Sequence, residues 1–465
     1  MTETSESFQD LLDHIPNLVE YLSNNVGAAH SSKAAGKQPV PEAFTNWRDE
    51  QAAQAETAVL LHQTYNMPSL FVKGPDAIKL LKSVAVNTFE NYALDRGKQL
   101  VACAPSGNLI GDCILYRHGE ESFELVSGAS VQNWVEYVAR IERYDVELLR
   151  DNAFNANPTG RRVRYRFELL GPNARQIFDR LLDEETAEIG VFRQRTVKIG
   201  GHEVFILRHG MVGAFAVELS GPFEEQDAVR EYILKVGAEF GLKPMGMAAY
   251  YSNVHSGWMA YPVPATFTDP DMIDFRRSLP AQTFEMGNEL GGSFVADKID
   301  DYYVTPYDVG YAGIIKFNHD FYGRDALERV PEEAKRKKVT LVWNREDVMR
   351  VIQSQFGSGP RYKAINFPVV NYAWSQHDEV RSTKGDLIGF SRHAAYQNPL
   401  GDIISLAVIG AEGAAVGDEV SIVWGEPNGG TRKPQVERHE QTTIRARVAH
   451  TPYDPGTHER LVAKT

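Results

Sequence analysis

The chain has 465 residues, 43% of them hydrophobic and 24% charged, which is typical of a soluble globular protein with about three domains. Its formal net charge of −13 argues against a protein that binds the phosphate backbone of nucleic acids, because such proteins present basic surfaces. Two cysteines, Cys103 and Cys113, fit neither a disulfide framework nor a paired zinc motif, which indicates a reducing cytoplasm. There is no signal-peptide pattern, and no run approaches about 18 apolar residues, so the sequence predicts no membrane span.

The first part of the chain predicts helices and strands, because apolar residues recur there at both helical and strand spacing. In chain order these are a helix over 8–26 that Pro16 would kink, a loop over 30–41, a helix starting within 44–51, a strand over 69–73, a helix over 76–84, a hairpin over 101–115, a strand over 123–127 and a helix over 129–144. The loop could serve as a lid, but its small polar residues are more typical of a plain surface connection.

Two further blocks have different patterns. The block at 161–242 alternates strands with helices and predicts a compact α+β unit. Its predicted strands are 165–170, 196–199, 203–208 and 214–219, and its predicted helices are 173–182 and 222–241. A charged run at 331–338 is typical of a solvated linker between domains, and the short strands after it predict a β-barrel or sandwich. Those strands are 339–343, 387–391, 403–409, 419–424 and 443–448.

Residues 246–258 combine Tyr250, Tyr251 and Trp258 with a histidine and an asparagine in a predicted loop. A phenol can donate or share a proton, and an indole can cover a flat ring. The stretch therefore suggests the lining of a site for a flat organic ligand. The alternative is a buried aromatic corner whose hydroxyls are satisfied within the protein.

Several catalytic motifs are absent from the sequence. It contains no GxxxxGK[ST] phosphate loop, no GxGxxG after a strand and no GxSxG nucleophile elbow. The histidines are scattered without an HExxH motif or a comparable ligand cluster. These absences disfavour a nucleotide-binding dehydrogenase, a serine hydrolase and a metal hydrolase.

Motifs spread over residues 44–450 together resemble the glycine-cleavage aminomethyltransferase family, which handles one-carbon units on tetrahydrofolate. They are Leu169-Leu-Gly-Pro-Asn-Ala174, Thr305-Pro-Tyr-Asp-Val-Gly310, Asp320-Phe-Tyr-Gly-Arg-Asp-Ala-Leu327 and the segment 385–406. The resemblance implies an α+β, three-domain, ring-like aminomethyltransferase fold with a C-terminal β-barrel domain and a central folate site. The implied domains are 1–160 plus 243–335, which would bind folate, 161–242, and the barrel at 336–465.

The branch of this family that the chain most resembles is that of the vanillate and syringate O-demethylases. The motif Asn46-Trp-Arg-Asp-Glu-Gln51 and the segments 291–294, 424–433 and 250–258 carry this resemblance. It implies that the chain transfers the methyl group of a lignin-derived methoxybenzoate to tetrahydrofolate in the cytoplasm. The products would be 5-methyltetrahydrofolate and a phenol, and no metal would be required. No partner other than the aromatic substrate and the folate is predicted.

The resemblance also implies site residues. Tyr250 would be the catalytic acid that protonates the leaving phenolate oxygen, because tyrosine, with an ordinary pKa of about 10, is nearly matched to a phenol. Glu218 lies in the segment 208–218, which resembles the folate-contacting segment of the family. Its carboxylate would accept N–H groups of the pterin, unless it is merely a charge at a strand end. Trp258 would cover a ring or pack in the core, and Asp112 completes the implied cofactor-binding set.

On the substrate side, the resemblance implies Gln63, Tyr65, Asn66 and Tyr251. The chain departs from the family where Gly111-Asp112 replaces paired aspartates and where Ala248 replaces an arginine, which argues against a lipoyl-linked amine as donor.

A second departure concerns the substrate carboxylate. The vanillate enzyme has an arginine on the strand that corresponds to residues 125–128, where this chain has Ser127 and Gly128. Either another cation takes its place, or the aryl substrate differs. Smaller residues leave room for a second methoxyl group, so we expect syringate ahead of vanillate or 3-O-methylgallate.

Two other functions remain open at this point. One is a folate-dependent demethylase or aminomethyltransferase whose donor is a sulfonium compound or a glycine derivative. The other is a folate-binding protein without catalytic turnover. The sequence does not predict an oligomeric state.

Overall fold

The computed structural model describes residues 6–25, 39–153, 157, 159–184, 187–260, 262–430, 433–434 and 436–462. Within these ranges, no helix is long and apolar enough to span a membrane. Val26 and most of the predicted loop at 30–41 lie outside them.

The predicted helix over 8–26 is two helices, α1 (Phe8–His14) and α2 (Leu18–Asn24). Pro16 lies in the break between them, as expected of a residue that cannot continue a helical hydrogen-bond ladder. Each helix has its own N-cap, because Ser7 accepts from the amide of Asp10 and Asn17 from that of Glu20. Proline and the second cap thus start a new helix where the apolar spacing alone predicted one continuous helix.

The next part of the chain builds a five-stranded sheet in the order β3-β4-β5-β2-β6. Its elements are α3 (Trp47–Glu56), β1 (Ala58–His62), β2 (Ser69–Lys73), α4 (Ala77–Val84), β3 (Lys98–Cys103), β4 (Leu109–Gly119), β5 (Ser122–Ser127), α5 (Ala129–Ile141) and β6 (Glu147–Asp151). The predicted hairpin over 101–115 is confirmed as β3 and β4, whereas β6 was not predicted. The buried face of α5, with Trp134 and Val138, packs into the core beneath this sheet.

A six-stranded sheet follows, in the order β11-β1-β7-β10-β9-β8. Its remaining elements are β7 (Arg164–Leu170), α6 (Ala174–Leu181), β8 (Gln194–Ile199), β9 (His202–Leu207), β10 (Ala216–Pro222), α7 (Gln226–Gly237) and β11 (Leu242–Met245), after which α8 (Met247–Tyr251) begins. The predicted strands and helices of 161–242 are all present. The sheet also takes β1 and β11 from outside that range, and the division of the chain into domains stays a prediction.

The C-terminal strands close into a six-stranded barrel in the order β13-β17-β16-β15-β18-β19, which confirms the α+β class with a C-terminal barrel. The remaining elements are α9 (Ile273–Ser278), β12 (Leu290–Gly291), α10 (Arg324–Glu328), β13 (Lys337–Trp343), α11 (Arg345–Gln353), β14 (Ser375–Gln376), β15 (Asp378–Arg381), β16 (Leu387–Gln397), β17 (Asp402–Ile409), β18 (Glu419–Trp424), β19 (Thr442–Ala449) and α12 (Pro455–Val462). Trp343 and Trp424 fill the barrel core edge to face, with ring centroids 5.4 Å apart.

His62, at the end of β1, is a buried histidine whose protonation would oppose folding. Its ring packs against Tyr65 and Phe167, with centroids 5.3 and 5.0 Å away. Burial, helped by the charge of Arg230, lowers the pKa of His62 to about 4, so the folded chain favours the neutral ring. The unfolded chain protonates near pH 6.5, so the stability that the neutral ring contributes is present above about pH 6.5 and is lost toward pH 4.

His62→Phe keeps the aromatic packing and cannot titrate. We therefore expect it to reduce the loss of unfolding free energy as the pH falls below about 6.5. Between about pH 6.5 and pH 4 the free energy of unfolding of the wild type should fall more steeply than that of the variant, by up to about 1.4 kcal/mol per pH unit. Urea unfolding at several pH values measures both slopes. Parallel slopes for the two proteins would contradict the expectation.

Candidate active site

A cavity of about 980 Å³ lies where the two sheets, α8 and the barrel meet. The five-stranded sheet contributes Gln99 and Asp112, the six-stranded sheet contributes Glu218, and the barrel contributes Lys338. A site assembled from all parts of the fold is one in which residues far apart in the sequence can act on one ligand.

Seven of the eight predicted site residues line this cavity: Tyr250, Tyr251, Glu218, Trp258, Asp112, Gln63 and Asn66. Tyr65 does not line it. Its ring packs against Phe223 with centroids 6.4 Å apart, and its hydroxyl accepts a hydrogen bond of 3.2 Å from the side chain of Gln226. The structure therefore brings together the predicted acid and the predicted cofactor-binding residues, and leaves out one substrate-side residue.

Tyr250 and Tyr251 stand on the short helix α8 rather than in the predicted loop. Glu50 fixes the start of this helix, because its Oε2 accepts the backbone N–H of Gly246 at 2.8 Å. The other oxygen of the fully buried carboxylate accepts the N–H groups of Phe44 and Thr45, at 2.7 and 3.0 Å. One carboxylate thus ties the chain before α3 to the helix that carries the tyrosines.

Gln51, next to Glu50, ties the same helix to the barrel. Its side-chain amide donates to the hydroxyl of Ser252 at 2.7 Å and to the carbonyl of Tyr396 at 3.1 Å. Asn46 caps α3 by accepting from the amide of Asp49 at 3.0 Å. The motif at 46–51, which carried part of the family resemblance, therefore positions α8 rather than lining the cavity.

Asp112 and Trp258 are in direct contact. Asp112 Oδ2 accepts hydrogen bonds from Trp258 Nε1 at 3.1 Å, from the hydroxyl of Tyr311 at 2.7 Å and from Gln99 Nε2 at 2.6 Å. Burial lowers the pKa of the neighbouring Lys338 to about 8, against the opposing influence of Asp112. The hydrogen bond to Asp112 anchors the edge of the indole at the cavity wall, and two residues that the sequence did not single out, Gln99 and Tyr311, hold Asp112 in place.

Glu218 is the centre of a second, buried polar network. Its Oε1 contacts His209 Nδ1 at 2.8 Å, and its Oε2 accepts from the hydroxyl of Tyr116 and, at 3.4 Å, from Arg166. Burial opposes the charge of Glu218, but His209 and Arg166 outweigh it and hold the pKa of the carboxyl below its ordinary value. Glu218 is therefore ionised at neutral pH and faces the cavity as an acceptor.

Glu168 was not predicted, although it is the direct cross-strand partner of Glu218 and also lines the cavity. It accepts from the backbone N–H of Met211 at 2.7 Å and from Gln63 Nε2 at 2.5 Å. A side chain at Gly210 would place a Cβ only 2.6 Å from Glu168 Oε1, so this approach requires glycine. The available signal was the alternation of charged and apolar residues along β7, which directs Arg166 and Glu168 to one face.

Asn66 has the chemistry of a ligand-binding residue. Its side-chain nitrogen and oxygen are both buried, and neither has a hydrogen-bond partner among the residues that the structure describes. Because a buried amide without partners is unfavourable, a ligand in the cavity is its natural partner. Within the described part of the chain, no group of three or more His, Cys, Asp or Glu side chains is placed to hold a metal ion.

Comparison with known proteins agrees with this architecture. Residues 22–259 match the family described as the GCVT N-terminal domain. The chain is 38% identical to the syringate O-demethylase of a Sphingobium species, over 97% of this chain and 96% of that protein. It is 30% identical to the sesamin methylene transferase of a Sinomonas species, over 91% and 92% of the two chains.

The fold is also found in a solved structure. The aminomethyltransferase T of the glycine cleavage system from Bartonella henselae superposes with a TM-score of 0.59 at 16% identity, over 90% of this chain and 92% of that one. This likeness concerns the fold alone. Family match, full-length relatives and fold together lead to one conclusion: the chain belongs to the GCVT family, and it is a folate-dependent, methyl-transferring enzyme.

Proposed function

We propose that the protein transfers the methyl group of a methoxybenzoate to tetrahydrofolate, giving 5-methyltetrahydrofolate and a phenol. The observation that carries this proposal is the 38% identity, over 97% of the chain, with a syringate O-demethylase. Syringate is the first donor that we propose, ahead of vanillate and 3-O-methylgallate. The small residues Ser127 and Gly128 in the cavity lining support this order, because they leave space for a second methoxyl group.

The residues of the cavity fit a folate. The ionised carboxylate of Glu218 offers acceptor sites suited to the N–H edge of a pterin. Trp258, oriented by Asp112, offers a flat apolar surface for a ring. Glu218, Trp258 and Asp112 are therefore the residues that would hold the folate. When bound, tetrahydrofolate supplies the nitrogen that accepts the methyl group.

The protein then has to stabilise the ether oxygen as the leaving group. Tyr250 would donate its phenolic proton to that oxygen, a transfer between groups of similar acidity and therefore nearly balanced in free energy. Tyr250 would then regain a proton, which is balanced by the one that the accepting nitrogen releases when it is methylated. The cavity walls would hold the two reactants in line and exclude water, and such positioning can lower a barrier by about 7–11 kcal/mol at best. Gln63, Asn66 and Tyr251 would orient the aromatic ring. Methyl transfer from oxygen to nitrogen changes no oxidation state, so the proposal needs no redox cofactor.

The first test is turnover by the wild type and by Tyr250→Phe. Purified protein with tetrahydrofolate and syringate, vanillate or 3-O-methylgallate should form 5-methyltetrahydrofolate and the demethylated phenol in equal amounts. We expect Tyr250→Phe to reduce this rate by about 10²–10⁴-fold, because it removes only the proton donor. Chromatography of both products measures the effect.

Tyr251→Phe is the matched control, because it makes the same change on the same helix. It should lower the rate much less than Tyr250→Phe does, because it removes a hydroxyl on the substrate side and leaves the proton donor in place. A reversed pattern would assign the acid to Tyr251 instead. If no aryl ether is demethylated by the wild type, the proposed donor class is wrong. Sesamin is then the next donor to test, because a relative named for it is 30% identical, followed by sulfonium compounds and glycine derivatives.

A second prediction concerns folate binding. Glu218→Gln should raise the Kd for tetrahydrofolate about tenfold or more, since a hydrogen bond to a charged group contributes about 1.5–3 kcal/mol. Because the pKa of Glu218 lies below its ordinary value, lowering the pH from 7 to 5 should not weaken folate binding through this carboxyl. Equilibrium titration by protein fluorescence measures both effects.

The control for Glu218→Gln is Glu203→Gln, an identical change at an exposed position on β9 of the same sheet. Thermal unfolding of both variants separates a loss of binding from a loss of fold. Equal folate affinity in a folded Glu218→Gln protein would remove Glu218 from the proposed site.

A further inference from the structure

The N-terminus of α5 opens into the cavity without a cap. Gly128, Ala129, Ser130 and Val131 all line the cavity, and the N-cap residue Gly128 has no side chain that could cap the helix. The first N–H groups of a helix have no partner within the helix, and the aligned peptide dipoles give this end a partial positive charge. Such an end can bind an anion, provided that other groups complete the site.

Ser130 is the first of these groups. Its residue is only 5% exposed, and its buried Oγ has no hydrogen-bond partner in the described parts of the chain. A buried hydroxyl without a partner is unfavourable, so its position in the cavity wall points to a ligand that would accept its proton.

Arg150, on β6, is the second group. It lines the cavity next to α5, because its guanidinium donates at 2.9 Å to Oδ1 of Asn133, which lies one turn along the helix from Ser130. Its Nε and one terminal nitrogen hold Glu136 at 3.0 and 2.7 Å. Described residues thus use three of the five guanidinium N–H groups, and a ligand could accept from the other two.

Arg150 is itself paired with Glu136, so its place beside α5 rather than a lack of partners distinguishes it from the other cations in the described cavity wall. Arg166 pairs with Glu124 at 2.8 Å and with Glu218 at 3.4 Å. Lys338 lies on the barrel side of the cavity near Asp112, and burial lowers its pKa to about 8 although the charge of Asp112 opposes this. Arg150 is the cavity-lining cation next to α5, whose N-terminus carries the buried hydroxyl of Ser130.

We propose that the helix end at Gly128, the hydroxyl of Ser130 and the guanidinium of Arg150 together bind the carboxylate of the methoxybenzoate donor. This inference rests on the proposed function, and it identifies the cation that replaces the arginine missing from residues 125–128. A planar carboxylate accepts from two donors at once, which suits a guanidinium and a row of backbone N–H groups.

The test compares two ligands that differ in the carboxylate alone. Calorimetric titration with syringate and with the neutral 2,6-dimethoxyphenol is carried out on the wild type, Arg150→Gln, Ser130→Ala and Lys338→Gln. We expect the Kd for syringate to rise about 10- to 100-fold in Arg150→Gln and about three- to tenfold in Ser130→Ala. The Kd for 2,6-dimethoxyphenol should change less than about twofold in either variant.

Arg140→Gln, an exposed arginine at the far end of α5, is the matched control and should bind both ligands as the wild type does. Thermal unfolding confirms that each variant is folded. The folate glutamate also carries carboxylates. Titration with tetrahydrofolate tests whether the site binds one of these instead of the carboxylate of syringate.

Three outcomes would overturn the proposal. The first is equal syringate affinity in the wild type and both variants, and the second is a loss confined to tetrahydrofolate, which would assign the site to the folate. The third is a loss of syringate affinity in Lys338→Gln but not in Arg150→Gln. Turnover by the wild type tests the proposed function separately. If the wild type demethylates syringate but the variants bind it as tightly as the wild type does, only the proposed carboxylate site is refuted.

Discussion

A single buried guanidinium holds the walls of the cavity together. Arg166 on the six-stranded sheet pairs with Glu124 on the five-stranded sheet at 2.8 Å, and with Glu218 on its own sheet at 3.4 Å. Both carboxylates are almost fully buried, so each is tolerated only because this cation and the adjoining histidines compensate it. Removing one partner of such a buried group is expected to cost about 3–5 kcal/mol. A buried ion pair therefore links the two sheets, in addition to their apolar contacts.

The same contacts would also prepare Glu218 for the proposed folate. Arg166, His209 and Tyr116 use Glu218 as their acceptor and thereby fix its orientation and its charge. A carboxylate held in this way reorganises little when a ligand arrives, which is the condition for strong and specific polar recognition. In the proposed role of Glu218, stability and folate binding would therefore depend on one set of contacts, and a change at Glu218 would affect both.

Local pattern was sufficient for most elements, because burial imposes a period of two on strands and 3.6 on helices. The resemblance supplied Tyr250, Glu218, Trp258 and Asp112. It did not supply Arg166, Glu168, Tyr311 or Lys338, because their place in the cavity depends on how separate strands pair. Tyr65 is the opposite case, because the resemblance implied it for the site although it does not line the cavity. β1 ends at His62 and the chain turns, so residues 63–66 no longer alternate like a strand, and Tyr65 points away from the cavity while Gln63 and Asn66 line it.

The carboxylate of Glu50 holds only backbone N–H groups, those of Phe44, Thr45 and Gly246. Every residue except proline offers the same backbone N–H, so positions 44 and 45 can take any other residue without losing this contact. Position 246 is restricted for another reason, since a Cβ there would come within 2.5 Å of Ala43. Among related proteins we therefore expect Glu50 and Gly246 to stay the same while positions 44 and 45 vary. A survey that ranks residues by distance from the reacting atoms would overlook both of them.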